Sequence, residues 1–291
     1  MLSDEEIEKL MKAGAILRAV RGKVTPLVSE GANIGDICDA VEGEIRKLGG
    51  EPAFPCNVGI NSVAAHYTSP PGELGTVPGG ALVKVDLGAH VDGYVADTAI
   101  TVSTGSIYED MIRVAEEALE RGLQSVAVGG KIADVGAAVE RVIKGRGFKP
   151  IRNLTGHQVG RYTIHAGVSI PNVTGEMVSG RFEPWSVYAL EPFVTLPDAK
   201  GFVTNGPPGN ILQIVKLKGP KEGPSRAYFR EAFRRFRTLP FAKRWMGEGW
   251  KDLLGQRILY EYPVLSEASG KPVAQAEHTV VTTEKEVLLS T

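Results

Sequence analysis

Residues 81–97, ALVKVDLGAHVDGYVAD, place Asp86 and Asp97 on two apolar runs separated by a Val91-Asp92-Gly93 turn. A hairpin closed between Val91 and Asp92 sets the two carboxylates directly opposite each other on one face. Carboxylates at cross-strand distance repel, and burying either one unpaired among Leu82, Val83, Val85, Leu87 and Val95 costs several kcal/mol or forces protonation. The simplest remedy is a cation between them, and a pair of divalent metal ions is the first candidate. The plain alternative is a solvent-facing pair flanking an ordinary tight turn.

Three further side chains stand where an ordinary core would not tolerate them. Glu191 interrupts the apolar run VYALEPFV, and Glu277 lies in the β-like segment AQAEHTVV, on the same face as Gln275 and Thr279. His157 follows Gly156 in NLTGHQVGRYTIHAG, and His165 comes eight residues later. Fully extended, that separation is about 26 Å, so the two imidazoles share a site only if the chain doubles back, with Gly160 the natural hinge. All five histidines, His66, His90, His157, His165 and His278, fall in or beside these segments. Singly, Glu191 reads as an internal ion-pair partner and His157 as a satisfied core histidine. Together, one imidazole and four carboxylates make an oxygen-rich set suited to two adjacent ions such as manganese, iron or cobalt rather than a structural zinc. Hydrolases use such pairs to activate water and polarise a carbonyl.

The elements that must position these groups show an internal repeat at an offset of 98 residues. Gly31, Asp36, Ile37, Val41, Glu42, Ile45, Arg46, Gly49 and Pro52 recur as Gly129, Asp134, Val135, Val139, Glu140, Ile143, Lys144, Gly147 and Pro150. In each copy a long helix (4–28 and 107–127) precedes a Gly turn, a second helix with Ile/Val at i, i+4 and i+8, and a Gly-x-x-Pro exit. Ser3 with Glu6, and Ser106 with Glu109, read as capping boxes. Strands are expected at 81–88, 93–102, 186–196, 211–218 and 273–282, with Gly/Pro-rich turns at 69–80 and 205–210. Strands that arrive with paired helices, without regular βαβ alternation, predict an α+β architecture of two pseudo-symmetric αβ halves around an antiparallel sheet. Residues 219–258 are strongly basic and aromatic, with Phe229, Phe233 and Phe236 at helical spacing, and read as an inserted helical subdomain. Its basic face is either an RNA- or ribosome-contacting surface or a solvated helix face.

Composition adds bounds. The 291 residues, 43% of them apolar, suffice for one large domain with an insertion, and a net charge of -1 gives no global drive toward nucleic acid or membrane. Cys38 and Cys56 fit no disulfide or zinc framework, the first residues lack a signal-peptide pattern, and no run approaches eighteen apolar residues. A cytoplasmic location is the expectation. P-loop, GxGxxG, GxSxG and HExxH patterns are absent, which removes the commonest nucleotide, serine-hydrolase and zincin readings.

The segments Ala81 to Asp97, GHQVGRYTIHAG (156–167), AAHYTS (64–69) and QAEHTV (275–280) together resemble the type II methionine aminopeptidases of the "pita-bread" metallopeptidase superfamily. The resemblance runs over essentially all of residues 1–291 as a single catalytic domain, with 206–260 as the helical insertion that separates type II from type I. It implies a pita-bread fold and removal of amino-terminal methionine from nascent proteins. It also implies Asp86, Asp97, His157, Glu191 and Glu277 as ligands of two divalent ions (cobalt, manganese, iron or zinc). Asp97 and Glu277 would bridge, His157 and Glu191 would complete one metal, and Asp86 the other. His66 and His165 match histidines that contact substrate, and Phe54, Ile164 and Tyr262 match walls of a methionine pocket. Glu191 is the best candidate for moving the proton of the attacking water. The chain starts almost directly at the catalytic domain, as the short archaeal form does. Nascent-chain amino termini are the implied partners, with ribosome contact through the basic insertion, no membrane and no sequence-specific nucleic acid. Two rivals stand beside this reading: a proline-specific peptidase of the same superfamily, against which AAHYTS and the insertion argue, and a metal-free ribosome- or RNA-associated relative, which would have lost ligands that this chain retains.

Overall fold

The structure is a computed structural model, and residues 2–175 and 180–291 are described. The repeat seen in the sequence is a repeat in space. Helices α1 (Asp4–Arg21) and α2 (Ile34–Lys47) open the first half, and α3 (Glu109–Gln124) and α4 (Ile132–Gly145) open the second. Helices α2 and α4 each run 14 residues. Each is entered from a left-handed glycine, Gly31 (φ 83°) or Gly129 (φ 77°), and left through another, Gly49 (φ 85°) or Gly147 (φ 80°). Only glycine takes such φ values without a Cβ penalty, so the four glycines fix where each helix starts and stops. Both exits lead to two-residue strands ending in proline, Glu51–Pro52 and Lys149–Pro150. The i, i+4, i+8 stripes Ile37, Val41, Ile45 and Val135, Val139, Ile143 are buried in two separate apolar cores, one per half.

Every strand pair is antiparallel, and the α+β class expected from the sequence holds. Strands Leu82–Val91 and Tyr94–Ser103 form the central hairpin, but its register differs from the expectation. Val91 pairs with Tyr94, so Asp86 faces Ala99 and Asp97 faces Gly88. The loop is Asp92-Gly93, with φ of 51° and 84°; a two-residue turn with both φ positive favours that pair, which moves the midpoint one residue along. The slip changes each partner by two, an even number, so both aspartates stay on one face as diagonal neighbours.

Two other expectations fail locally. Helix α1 carries the Ser3–Glu6 capping box, but α3 is capped at Tyr108 with no side-chain bond, and Ser106 lies outside it. Residues 205–210 are not a turn. They lie inside the strand Val203–Ile214, whose pairing with Leu259–Glu267 shifts register between Asn205 and Pro208 and again between Pro208 and Leu212. Proline lacks the ladder donor, so the segment stays extended but bulged. Between those two strands lie α5 (Pro224–Phe236) and α6 (Trp250–Gly255). Their Phe229, Phe236 and Leu253 pack with Phe241, Leu212 and Ile214 in a core of their own. Buried Glu42 of α2 accepts from Trp245 Nε1 at 2.8 Å and pairs with Arg244, tying this segment to the first half. Among the described residues no helix is long and apolar enough to cross a membrane.

Candidate metal centre and substrate cavity

The two halves meet along strand Tyr94–Ser103, and threonines lace the junction. Thr279 Oγ1 accepts from Asp97 N and donates to Asp97 O, both at 2.8 Å. Thr98 Oγ1 donates to Glu277 O at 2.7 Å, and Thr101 Oγ1 donates to Gln275 O at 2.6 Å. Glu277 itself bridges to Ala99. The threonines and carboxylates of DTAIT and QAEHT therefore divide the work: the threonines satisfy backbone between the halves, and the carboxylates are left to line the cavity.

The remaining groups arrive from separate elements. His157 lies on the strand Gly156–Val159. The chain then folds back at a Gly160–Thr163 bridge, as the spacing required, so that the His157 and His165 ring centroids stand 4.5 Å apart, edge to face. Glu191 sits in the break between strands Val187–Leu190 and Phe193–Thr195. His66 follows the strand Val63–Ala65 with a left-handed φ of 64°, a strained conformation for a non-glycine residue and common at functional sites. Tyr262 holds its ring 5.1 Å from that of His66 and donates its hydroxyl to Gln213 Oε1 at 2.7 Å. Phe54 packs across Gly88, where a Cβ would fall 2.3 Å from its ring.

All ten residues singled out in the sequence, Phe54, His66, Asp86, Asp97, His157, Ile164, His165, Glu191, Tyr262 and Glu277, line one cavity of about 350 Å³. Two histidines do not join them. His90 sits near the hairpin turn against Tyr162, and His278 faces Arg21 and Thr291 on the other side of its strand. Sequence proximity over-counted them for two reasons: His278 is adjacent to Glu277 and so points to the opposite face, whereas His90 shares a face with Asp86 but lies four residues further along the strand, at the turn. Asn57 and Leu154 also line the cavity and were not anticipated. The signal for Asn57 was present as one amide inside the apolar run AFPCNVGI.

The electrostatics are severe. His157 Nε2 lies 3.5 Å from Glu191 Oε1 and 3.8 Å from Asp97 Oδ2, and single donor atoms of Asp97, His157 and Glu277 lie within 4.8 Å of one another. Burial pushes the Asp86 carboxyl up to about 7. Burial, then repulsion from the neighbouring carboxylates, holds Asp97, Glu191 and Glu277 well above the usual range. Burial, with His165 adding to it, lowers His157 to about 3, so its ring is neutral and its lone pair free. Asp86 Oδ1 and Asp97 Oδ1 are buried without a hydrogen-bond partner. Four crowded carboxyls, two of them with orphaned oxygens, and a neutral imidazole are the donor set a divalent cation needs, and the residues fit such an ion.

A pH dependence follows. A carboxyl whose folded-state pKa is raised favours the metal-free fold while protonated; that contribution is lost as pH rises, for Asp86 across the window from 3.8 to about 7. Metal must displace those protons, and any proton on His157, so binding strengthens with pH. The rise in melting temperature caused by added manganese should therefore be much larger near pH 8 than near pH 5.5, as read by scanning fluorimetry. An increment that does not change with pH would mean that these groups are not the ligands.

Comparisons with known proteins agree with this geometry. The profile of metallopeptidase family M24 matches residues 8–284. The methionine aminopeptidase of Thermococcus kodakarensis is 40% identical over 296 aligned positions, covering 99% of this chain and 100% of that one. Among solved structures, a thermophilic Arx1 superposes with a TM-score of 0.86 at 18% identity, over 100% of this chain and 91% of the other. The methionine aminopeptidase of Thermotoga maritima superposes at 0.73 with 22% identity, over 99% and 97%. These two structures speak to the fold alone, whereas the end-to-end likeness in sequence speaks to kinship. The chain belongs to metallopeptidase family M24.

Proposed function

We propose that this protein is a metal-dependent aminopeptidase that removes the amino-terminal methionine from proteins and peptides. The observation that carries the reading is that buried carboxyls and a neutral imidazole line the same cavity as Phe54, Ile164 and Tyr262. A cavity of about 350 Å³ suits one medium side chain plus a chain end. The full-length kinship with methionine aminopeptidases supports methionine rather than a proline-specific substrate. In this reading Asp86, Asp97, His157, Glu191 and Glu277 would hold two divalent ions (cobalt, manganese, iron or zinc). When bound, the ions supply Lewis acidity and an activated water.

The protein's own groups do the rest. Glu191, with its raised pKa, is suited to accept a proton from the attacking water and return it to the leaving amine. His66 and His165 are both held neutral by burial, His66 at about 4, and so can donate a hydrogen bond to the scissile carbonyl oxygen as charge develops there. The pocket wall orients the methionine side chain. We read residues 1–291 as one catalytic domain with 206–260 as its insertion, acting in the cytoplasm on nascent-chain amino termini, with neither membrane nor sequence-specific nucleic acid as a partner. The arginines of α5 (Arg226, Arg230, Arg234 and Arg235) are the surface through which the insertion would meet a ribosome.

Stripped protein resupplied with manganese, iron or cobalt should hydrolyse Met-Ala-Ser and leave Gly-Pro and Ala-Pro-Ala intact; cleavage of the proline peptides alone would overturn the reading. His66→Ala and His165→Ala should each lower kcat/KM by about two to four orders of magnitude without loss of metal. A metal-depleted variant would make that histidine a ligand.

A further inference from the structure

Asn57 begins the strand Asn57–Ile60, and its cross-strand partner is Asp86, so both side chains stand on one face at the cavity floor. The residue is 6% exposed. Its Nδ2 donates to Pro55 O at 2.9 Å, which fixes the amide: reversing it would set two oxygens against each other at that distance. The other end, Oδ1, is then a buried acceptor with no partner. Buried acceptors are rarely left unsatisfied, and one that faces a cavity is met there by water or by a ligand's donor. Of the titratable groups lining the cavity, His66, His157, His165 and Tyr262 do not donate to this oxygen, and Asp86, Asp97, Glu191 and Glu277 are acceptors once ionised, which leaves Oδ1 free for a donor that enters the cavity.

We propose that Asn57 is a specificity-determining residue for the free chain end, its Oδ1 accepting a hydrogen bond from the substrate's α-amine. This rests on the aminopeptidase reading, in which the substrate's chain end would lie at the carboxyl-lined side of the cavity, beside Asp86. An amine there retains N–H groups that require an acceptor, and Asn57 is the neutral acceptor directly across from Asp86. A neutral amide adds no charge to a crowded carboxylate site, yet it distinguishes an amine from a group lacking N–H.

The test is calorimetric titration of metal-loaded protein with L-methioninol and with 4-(methylthio)butan-1-ol, which lacks the amine. Asn57→Leu keeps approximate volume and removes the acceptor; Asn57→Ala is the second variant should leucine not be accommodated. The dissociation constant for methioninol should rise about tenfold, while that for the des-amino alcohol should stay within about twofold. Melting temperature and metal stoichiometry should be unchanged. Equal weakening of both ligands would make Asn57 a shaping residue only, loss of metal would make it a ligand, and an unaltered methioninol constant would leave it no role; each overturns the proposal. Because the titration measures binding, it stands apart from the wild-type hydrolysis of Met-Ala-Ser, on which the aminopeptidase reading itself depends.

Discussion

Asp97→Ala protein is expected to fold, to bind less metal than the parent, and to lose peptidase activity by at least about three orders of magnitude. Asp97 is the group through which the two halves converge. Its backbone is held on both sides by Thr279, and its carboxyl lies against His157, Glu277 and the repulsive field of Asp86. If Asp97 is shared by two ions, as the family resemblance implies, no neighbour can replace it, because its removal would leave both sites short of a ligand. The fold should survive for the opposite reason. The carboxyl is fully desolvated and pushed well above its ordinary pKa, so in the absence of metal it opposes folding at neutral pH. Asp97→Asn, which keeps the volume and discards the charge, should therefore melt at or above the temperature of metal-free parent protein, yet gain far less from added manganese. This is a stability cost accepted for function, and paired melts with and without metal expose it. A variant with near-normal turnover after metal supplementation would remove Asp97 from the centre.

How much of this was legible beforehand depended on whether a residue's role was local or relational. The repeat was legible because each half needs the same glycines at the same φ and the same buried stripe, and these are properties of single positions. The inward carboxylates were legible because Asp86, Asp97, Glu191 and Glu277 violate an apolar pattern, whatever they face. The hairpin register differed by two residues, the turn midpoint by one, because turn geometry, not the strands, sets it. The Asn205–Asn210 stretch looks like a turn by composition, and becomes a bulged strand only because the Leu259–Glu267 strand is there to pair with it. Asn57 depends on two partners, Pro55 and Asp86, and its unpaired oxygen is visible only once the amide is oriented.

Peptides with a blocked amino terminus should not be cleaved at all, and this is the sharpest test of substrate choice. In the function proposed above the carboxyl-lined side of the cavity would take cations and the chain-end amine, and acetylation turns the amine into an amide that neither ligates a metal well nor carries the same donors. On the apolar side the pocket reads shape. Norleucine peptides should remain good substrates, because a methylene in place of sulfur changes little, and hydrophobic pockets separate near-isosteres by only about 1–3 kcal/mol. Leucine and valine peptides should be much poorer, since a branch at Cγ or Cβ would drive a methyl against Phe54, Ile164 and Tyr262, where methionine is unbranched. That wall is stiff: Phe54 lies against Gly88, and Tyr262 is fixed by its bond to Gln213 and its contact with His66. Tyr262→Ala should weaken methionine cleavage and narrow the gap between methionine and leucine, because it opens the wall and unseats His66 together. Measured kcat/KM values for methionine, norleucine, leucine and acetyl-methionine peptides decide the matter. Hydrolysis of the acetylated peptide, or of leucine as fast as methionine, would mean that the cavity does not recognise a methionine chain end.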